Sequence, residues 1–194
     1  MTQQLVRQIT IGALGWDRDD PVYPEDLPVD WRLAYYANTR AAVWVPAEAW
    51  LGGTMPDTAA WREDVNEGFR FVVALDGRHA DAPGRAAIAA AVAVLGEQLA
   101  AVVATAGVHS AVLGERHAGL RVDPEAVWRG GAVSAAEVRL GIVPADRLGS
   151  PRAMREVLEA FAAAATVPTP CLFVDGPLGQ LEDLDTLGRL MGVC

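Results

Sequence analysis

The sequence contains no lysine, because all 16 of its basic residues are arginine. This absence excludes a Schiff base on a lysine amine and the lysine of a phosphate-binding P-loop. Only two cysteines are present, Cys171 and Cys194, and they lack CxxC spacing. A zinc site built from cysteine is therefore excluded. We expect a reducing, cytoplasmic location without a disulfide.

Long apolar segments are also missing. No apolar run reaches the roughly 18 residues of a membrane span, and the first ten residues lack the apolar core of a signal peptide. The formal net charge is -9, which repels phosphate backbones and anionic lipid headgroups. We therefore expect no membrane partner and no nucleic acid, which also argues against a nucleic-acid enzyme.

The common motifs of cofactor and nucleophile chemistry are absent as well. The sequence has no GxSxG elbow, no GxGxxG after its first strand and no Walker motif. Its three histidines show neither HxH nor HExxH spacing. We expect no cofactor and no metal ion.

What is present is an alternation of short apolar runs and helical segments in a chain of 194 residues. Asp57 and Ser150, the latter followed by Pro151, are helix-start signals. Strands are predicted at 6–12, 41–45, 69–75, 101–105, 110–113, 138–143 and 171–174, and helices at 31–38, 57–65, 84–95, 150–164 and 181–191. This βα alternation without a linker predicts one α/β domain over residues 1–194 with mainly parallel strands.

Two architectures fit this pattern equally well. One is a compact or incomplete (β/α) barrel, and the other is an open doubly wound sheet. A complete barrel of eight units more often needs about 250 residues. A barrel here would therefore have trimmed helices or missing units.

Several ordered motifs resemble the YecE-like family, known as domain of unknown function 72. They are IGALGW (11–16), YPEDLP (23–28), LAYYA (33–37), AWR (60–62) and GFRFV (68–72). The resemblance covers about the first 75 residues. It implies a TIM-barrel-like (β/α) barrel, and so favours that architecture over the open sheet.

The chain also departs from that family's pattern. Relatives usually carry a VExN-like pattern on the second strand, where this chain has Val43, Trp44, Val45 and Pro46. The family's lysine near the end of the third strand is Leu75 or Asp76 here. If those polar groups serve catalysis in relatives, the resemblance implies a degenerate site in this chain.

Ligands of parallel α/β folds bind at the carboxyl ends of the strands. That rule gives Asp17, Asp76 and Asp175 as candidate general bases. It gives five candidate ligand-binding residues, which are Trp16, Trp44, Glu48, Arg78 and His79. The Asp-Gly pairs also suit plain turns, and the segment around Arg78 and His79 also suits a solvated loop. The rings of Trp16, Trp44 and Trp50 are expected to converge and to fill a pocket rather than line one.

Two functional hypotheses follow. The first is a non-catalytic barrel, a pseudoenzyme with a structural or interaction role, completed by self-association as a homo-oligomer such as a homodimer. The alternative is a hydrolase or lyase that acts on a small anionic metabolite. In it an aspartate is the general base, and Arg78 and His79 hold the anion as a small-molecule ligand.

Overall fold

The structure is a computed structural model that describes residues 7–51, 56–81, 84–133, 135 and 137–194. The chain divides into two compact units. The central unit comprises Gly15–Arg18 and Glu25–Pro124, and the terminal unit comprises Met1–Leu14, Asp19–Pro24 and Glu125–Cys194. Seven parallel strands and seven α-helices in the described residues form an α/β fold of the TIM-barrel-like type. A complete TIM barrel has eight strands, so this one is incomplete.

The central unit has four strands in the order β2-β3-β4-β5. They are β2 (Ala42–Val45), β3 (Arg70–Ala74), β4 (Leu99–Val103) and β5 (Arg121–Val122). Its helices are α1 (Arg32–Ala37), α2 (Thr58–Asp64), α3 (Gly77–Ala80), α4 (Arg85–Val94) and α5 (Ala106–Leu113). All four residues of β2 are buried, as expected for a parallel strand that is covered on both faces.

The terminal unit has three strands in the order β1-β7-β6 and two long helices. They are β1 (Thr10–Leu14), β6 (Leu140–Pro144), α6 (Pro151–Ala164), β7 (Cys171–Asp175) and α7 (Leu178–Met191). Trp128 forms an isolated parallel bridge with Gly141 on the outer side of β6. Its backbone N–H donates to Leu140 O at 2.9 Å, and its carbonyl accepts from Ile142 N at 2.8 Å. This single bridge stands where a further strand would pair with β6.

Local helix signals are confirmed at two starts. The Asp57 carboxylate accepts hydrogen bonds from the N–H groups of Ala59 and Ala60, and α2 begins at the next residue. Ser150 Oγ accepts from Ala153 N at 3.2 Å, with Pro151 as the first residue of α6. Both caps satisfy N–H groups that a helix start leaves without intrahelical partners.

Two segment predictions are wrong. Residues 110–113, predicted as a strand, belong to α5, whose buried Val108 and Val112 recur at helical spacing. The segment after β3, predicted as a loop, contains the single helical turn α3. The first strand begins at Thr10 rather than at position 6, and position 6 lies outside the described residues.

Both cysteines are free thiols, and burial raises the pKa of Cys194 to about 11.

Candidate functional site

Four of the predicted site residues lie together at the carboxyl ends of β2 and β3. We call Glu48, Asp76, Arg78 and His79 the strand-end cluster. Arg78 Nη2 donates to Glu48 Oε1 at 2.8 Å, and Arg78 Nε donates to the two Asp76 carboxylate oxygens at 3.1 and 3.0 Å. A further hydrogen bond joins Arg78 Nη2 to Asp76 Oδ2. The guanidinium is therefore held between two carboxylates.

His79 is fully buried, which is unusual for an ionisable side chain. Its Nδ1 accepts a hydrogen bond from Asp76 N at 3.0 Å and also lies 3.1 Å from both Asp76 O and Asp76 Oδ1. Nε2 lies 3.2 Å from Ala47 O and donates to it. Both ring nitrogens thus contact polar atoms of Asp76 or Ala47, and the ring ties the loop after β3 to the loop after β2.

The sequence folds this way locally because Asp76 and His79 form a capping box around α3. The Asp76 carboxylate accepts from Arg78 N at 3.0 Å, while the His79 ring accepts from the backbone N–H of Asp76. Two N–H groups at the start of the turn are thereby satisfied by side chains. The spacing Asp-x-x-His carried this signal in the sequence, with His in the position usually taken by Glu or Gln.

These contacts set the protonation of the cluster. The hydrogen bonds from Arg78 lower the pKa of Asp76 to about 2 and also hold the pKa of Glu48 below its ordinary value. The same two carboxylates raise the pKa of Arg78. A carboxylate with so low a pKa is a weak base. The charge of the Arg78 guanidinium is already offset by two carboxylates, which weakens its attraction for an anionic ligand.

The loop after β2 is a 3-10 turn, Ala47–Trp50, that presents its side chains in two directions. Glu48 is exposed and reaches Arg78, whereas Trp50 is 1% exposed. The Trp50 ring lies 5.9 Å from the ring of Trp61 on α2. One short turn therefore fixes the strand-end cluster on one side and a group of aromatic rings on the other.

Trp61 lies at the centre of that aromatic group. Its ring packs edge-on against Trp16 with centroids 4.8 Å apart, and stacks on Phe71 of β3 at 6.0 Å. Such ring pairs add packing energy beyond the area they bury. Trp61 belongs to the AWR motif of the family resemblance, but it was not predicted to pack against other aromatic rings.

Trp44 does not belong to this group. It is in register with Val72, the residue after Phe71. Side chains alternate along a strand, so Trp44 lies on the face opposite to Phe71 and α2. The expected convergence of three rings therefore holds for Trp16 and Trp50, each through Trp61, and is wrong for Trp44.

The remaining candidates are exposed carboxylates. Asp17 is exposed, and its backbone carbonyl accepts from Arg32 Nη1 at 2.7 Å. Asp175 is the exposed last residue of β7 in the terminal unit, in register with Pro144. Neither carboxylate forms an ion pair with another described residue.

Within the described ranges no group of three or more His, Cys, Asp and Glu side chains could hold a metal ion. None of the described helices has both the length and the apolar character needed to cross a membrane.

Comparison with solved structures identifies two crystal structures of a DUF72 family protein from Enterococcus faecalis V583. One, at 2.52 Å resolution, aligns with a TM-score of 0.57 and 11% identity over 97% of this chain and 99% of that chain. The other, at 3.10 Å, gives a TM-score of 0.56 and 13% identity over 96% of each chain. No protein-family model and no curated protein matches the sequence. At these identities the likeness shows the fold, and the fold of a DUF72 protein extends over nearly the whole chain, in agreement with the YecE-like motifs of its first 75 residues.

Proposed function

We propose that the chain is a single YecE-like (β/α) barrel domain with a degenerate, non-catalytic site and a structural or interaction role. The observation that carries the proposal is that the residues of the strand-end cluster are bonded to one another and to the backbone of the two loops. Arg78 is paired with Asp76 and Glu48, and His79 is buried with Nδ1 against Asp76 and Nε2 against Ala47 O. Groups that are engaged in holding two loops together are poorly placed to bind substrate or transfer protons.

The charge of the cluster supports the same conclusion. Two carboxylates face one guanidinium in the cluster. The two carboxylates offset the charge of Arg78 and repel the anion that the alternative hypothesis requires. A hydrolase or lyase acting on a small anionic metabolite would have to break both Arg78 ion pairs before Arg78 could hold its substrate. A cytoplasmic location and self-association are further parts of the proposal.

The proposal is tested by thermal denaturation in the presence of a panel of carboxylated and phosphorylated metabolites. The wild-type protein is compared with Arg78→Ala and with Arg155→Ala, which removes an exposed arginine that is also paired, with Glu159, on α6. We expect no anion to raise the Tm of the wild type more than that of Arg78→Ala. A saturable rise in Tm that Arg78→Ala abolishes and Arg155→Ala retains would establish an anion site. Turnover of that anion, lost in Asp76→Asn, would establish the enzyme.

A further inference from the structure

The central unit contains a second buried imidazole, on α5. His109 is 3% exposed, and its Nε2 is buried without a hydrogen-bond partner among the residues that the structure describes. A neutral imidazole has one N–H donor and one acceptor, whereas the charged imidazolium has two donors. Protonation of His109 therefore buries a charge and leaves an N–H at Nε2 without an acceptor, and both effects disfavour it.

His79 provides the contrast, because it is also buried. Its Nε2 lies 3.2 Å from Ala47 O, and its Nδ1 lies 3.1 Å from Asp76 Oδ1. Each nitrogen of a protonated His79 ring thus has an acceptor within hydrogen-bond distance. Acid is therefore expected to disturb the surroundings of His109 rather than those of His79.

The two helices packed against α5 supply no carboxylate that could stabilise a charged His109. They are α3 and α4, whose titratable side chains are Arg78, His79 and Arg85. All three are basic groups. A proton on His109 therefore gains no favourable charge from either helix.

Other charged groups that act on His109 belong to the connection from α5 to β5. Burial lowers the pKa of His109 below its ordinary value of 6.5, while the backbone of His117 raises it. The charges of Arg121 and His117 lower the pKa further, and that of Glu115 raises it. Glu115 is exposed, so water and salt screen its charge. The folded protein therefore favours the neutral ring.

The segment from α5 to β5 is weakly attached to the central unit. β5 has two residues, and within the described sheet they pair only with β4. The connection contains His117 at a φ of 59°, a left-handed conformation that costs energy for a residue other than glycine. His117 Nε2 is also buried without a partner in the described part of the chain. A short outer strand next to such a connection opens at a lower cost in free energy than the central strands.

We propose that His109 is an acid-sensitive switch whose protonation releases residues 106–122 from the central unit. The neutral ring packs in the closed segment, and the charged ring is stable when opening lets water reach it. Opening therefore takes up a proton, and acid shifts the equilibrium towards the open form. The open form exposes the backbone edge of β4 that β5 covers at Val102 and Val103.

The direction of the pH dependence follows from the sign of the shift. The pKa of His109 is lower in the folded protein than its ordinary value of 6.5. The closed segment is therefore fully stable above about pH 6.5 and loses stability as the pH falls towards the lower, folded-state value. Uptake of one proton raises the opening constant by up to about tenfold for each pH unit in that range.

The test is hydrogen–deuterium exchange of the full chain at pH 7.5 and 5.5, with each rate corrected for the intrinsic effect of pH. We expect the protection of residues 106–122 to fall by about three- to tenfold at the lower pH. Residues 42–45 of β2 should remain more strongly protected than this segment at both pH values. Equal protection of the two segments would mean that the whole unit unfolds together, and would overturn the proposal.

His109→Gln replaces the ring with a neutral polar side chain, and should make the protection of residues 106–122 the same at both pH values. His79→Gln is the matched control, because glutamine also suits its position in the capping box of α3. It should retain the fall in protection. The proposal is overturned if the wild type shows no fall, or if His109→Gln retains it.

A second measurement applies if His109→Gln does not fold. In an NMR titration of the wild type, the His109 ring of the folded protein should take up its proton at a lower pH than the same ring in the urea-unfolded chain. A ring that titrates at the same pH in both states would overturn the proposal.

Discussion

Two 3-10 turns of the central unit resemble each other in sequence and differ in how their side chains are used. Ala47–Trp50 follows β2, and Gly96–Gln98 precedes β4. Each turn has an exposed glutamate as its second residue and a buried side chain as its last residue. In the first turn Glu48 pairs with Arg78, and Trp50 packs against Trp61. In the second turn Glu97 has no ion pair and Gln98 Oε1 has no donor among the described residues.

The difference shows that the position of a polar residue in the fold does not by itself indicate function. The carboxyl ends of parallel strands are where ligands usually bind, yet the polar groups there are used to hold two loops together. The amino ends of the same strands usually serve stability, yet there the carboxylates and one amide oxygen are left without partners. The last residues of the two turns do not differ in this respect, because Trp50 Nε1 is also buried without a hydrogen-bond partner among the described residues.

The largest effect is expected from the buried side of the first turn. Trp50→Ala should lower the free energy of unfolding by about 3–5 kcal/mol, because it leaves a cavity beside Trp61. Urea denaturation measures the change, and Leu51→Ala, at a half-exposed neighbour, should cost less than about 1 kcal/mol. A loss for Trp50→Ala no greater than that for Leu51→Ala would show that the turn is not fixed by its aromatic contact.

Whether a contact could be predicted from the sequence depends on how far apart its two residues lie along the chain. The cap at Asp57 and the start of α6 are local and were predictable from neighbouring residues. The ion pair between Glu48 and Arg78 joins residues 30 positions apart, and it exists because β2 and β3 are paired in register. No neighbouring residue in the sequence signals that contact. The strand-end residues could therefore be predicted to lie together, but their ion pairs with one another could not be predicted.

The segment 110–113 was mispredicted for a different reason. Its four residues, Ser-Ala-Val-Leu, have no strong shared preference for helix or strand, so packing of α5 rather than local propensity decides its structure. The fold class itself was predictable because alternating strand and helix patterns extend along the whole chain. The groove beside the ends of α2 and α4 was not predictable, because its lining comes from those helix ends and from the residues before β3 and β4, which only the fold brings together.

An intermediate effect is expected from the charge at the centre of the strand-end cluster. Asp76→Asn keeps a capping side chain but removes the charge, and should cost about 1 kcal/mol at neutral pH, because the carboxylate is partly exposed and its ion pair is screened. The folded-state pKa of Asp76 is about 2, below its ordinary value of 3.8. The stabilisation is therefore fully present above pH 3.8 and is lost as the pH falls towards 2.

Urea denaturation of the wild type and Asp76→Asn between neutral pH and pH 2 measures this dependence. The difference in unfolding free energy between them should be constant above about pH 5 and should close as the pH approaches 2. A difference that stays constant across the whole range would mean that the Arg78 ion pair contributes nothing to stability.

The smallest effect is expected from the two exposed glutamates, and it tests the comparison most directly. Glu48→Gln removes a partner of Arg78 and should cost about 0.5 kcal/mol, as is typical of exposed ion pairs. Glu97→Gln removes an unpaired charge from a groove rich in carboxylates, and should be neutral or slightly stabilising. Double-mutant cycles with Arg78→Ala should give a coupling energy of a few tenths of a kcal/mol for Glu48 and none for Glu97. Equal coupling for both glutamates would mean that the two turns do not differ in how they use their glutamates.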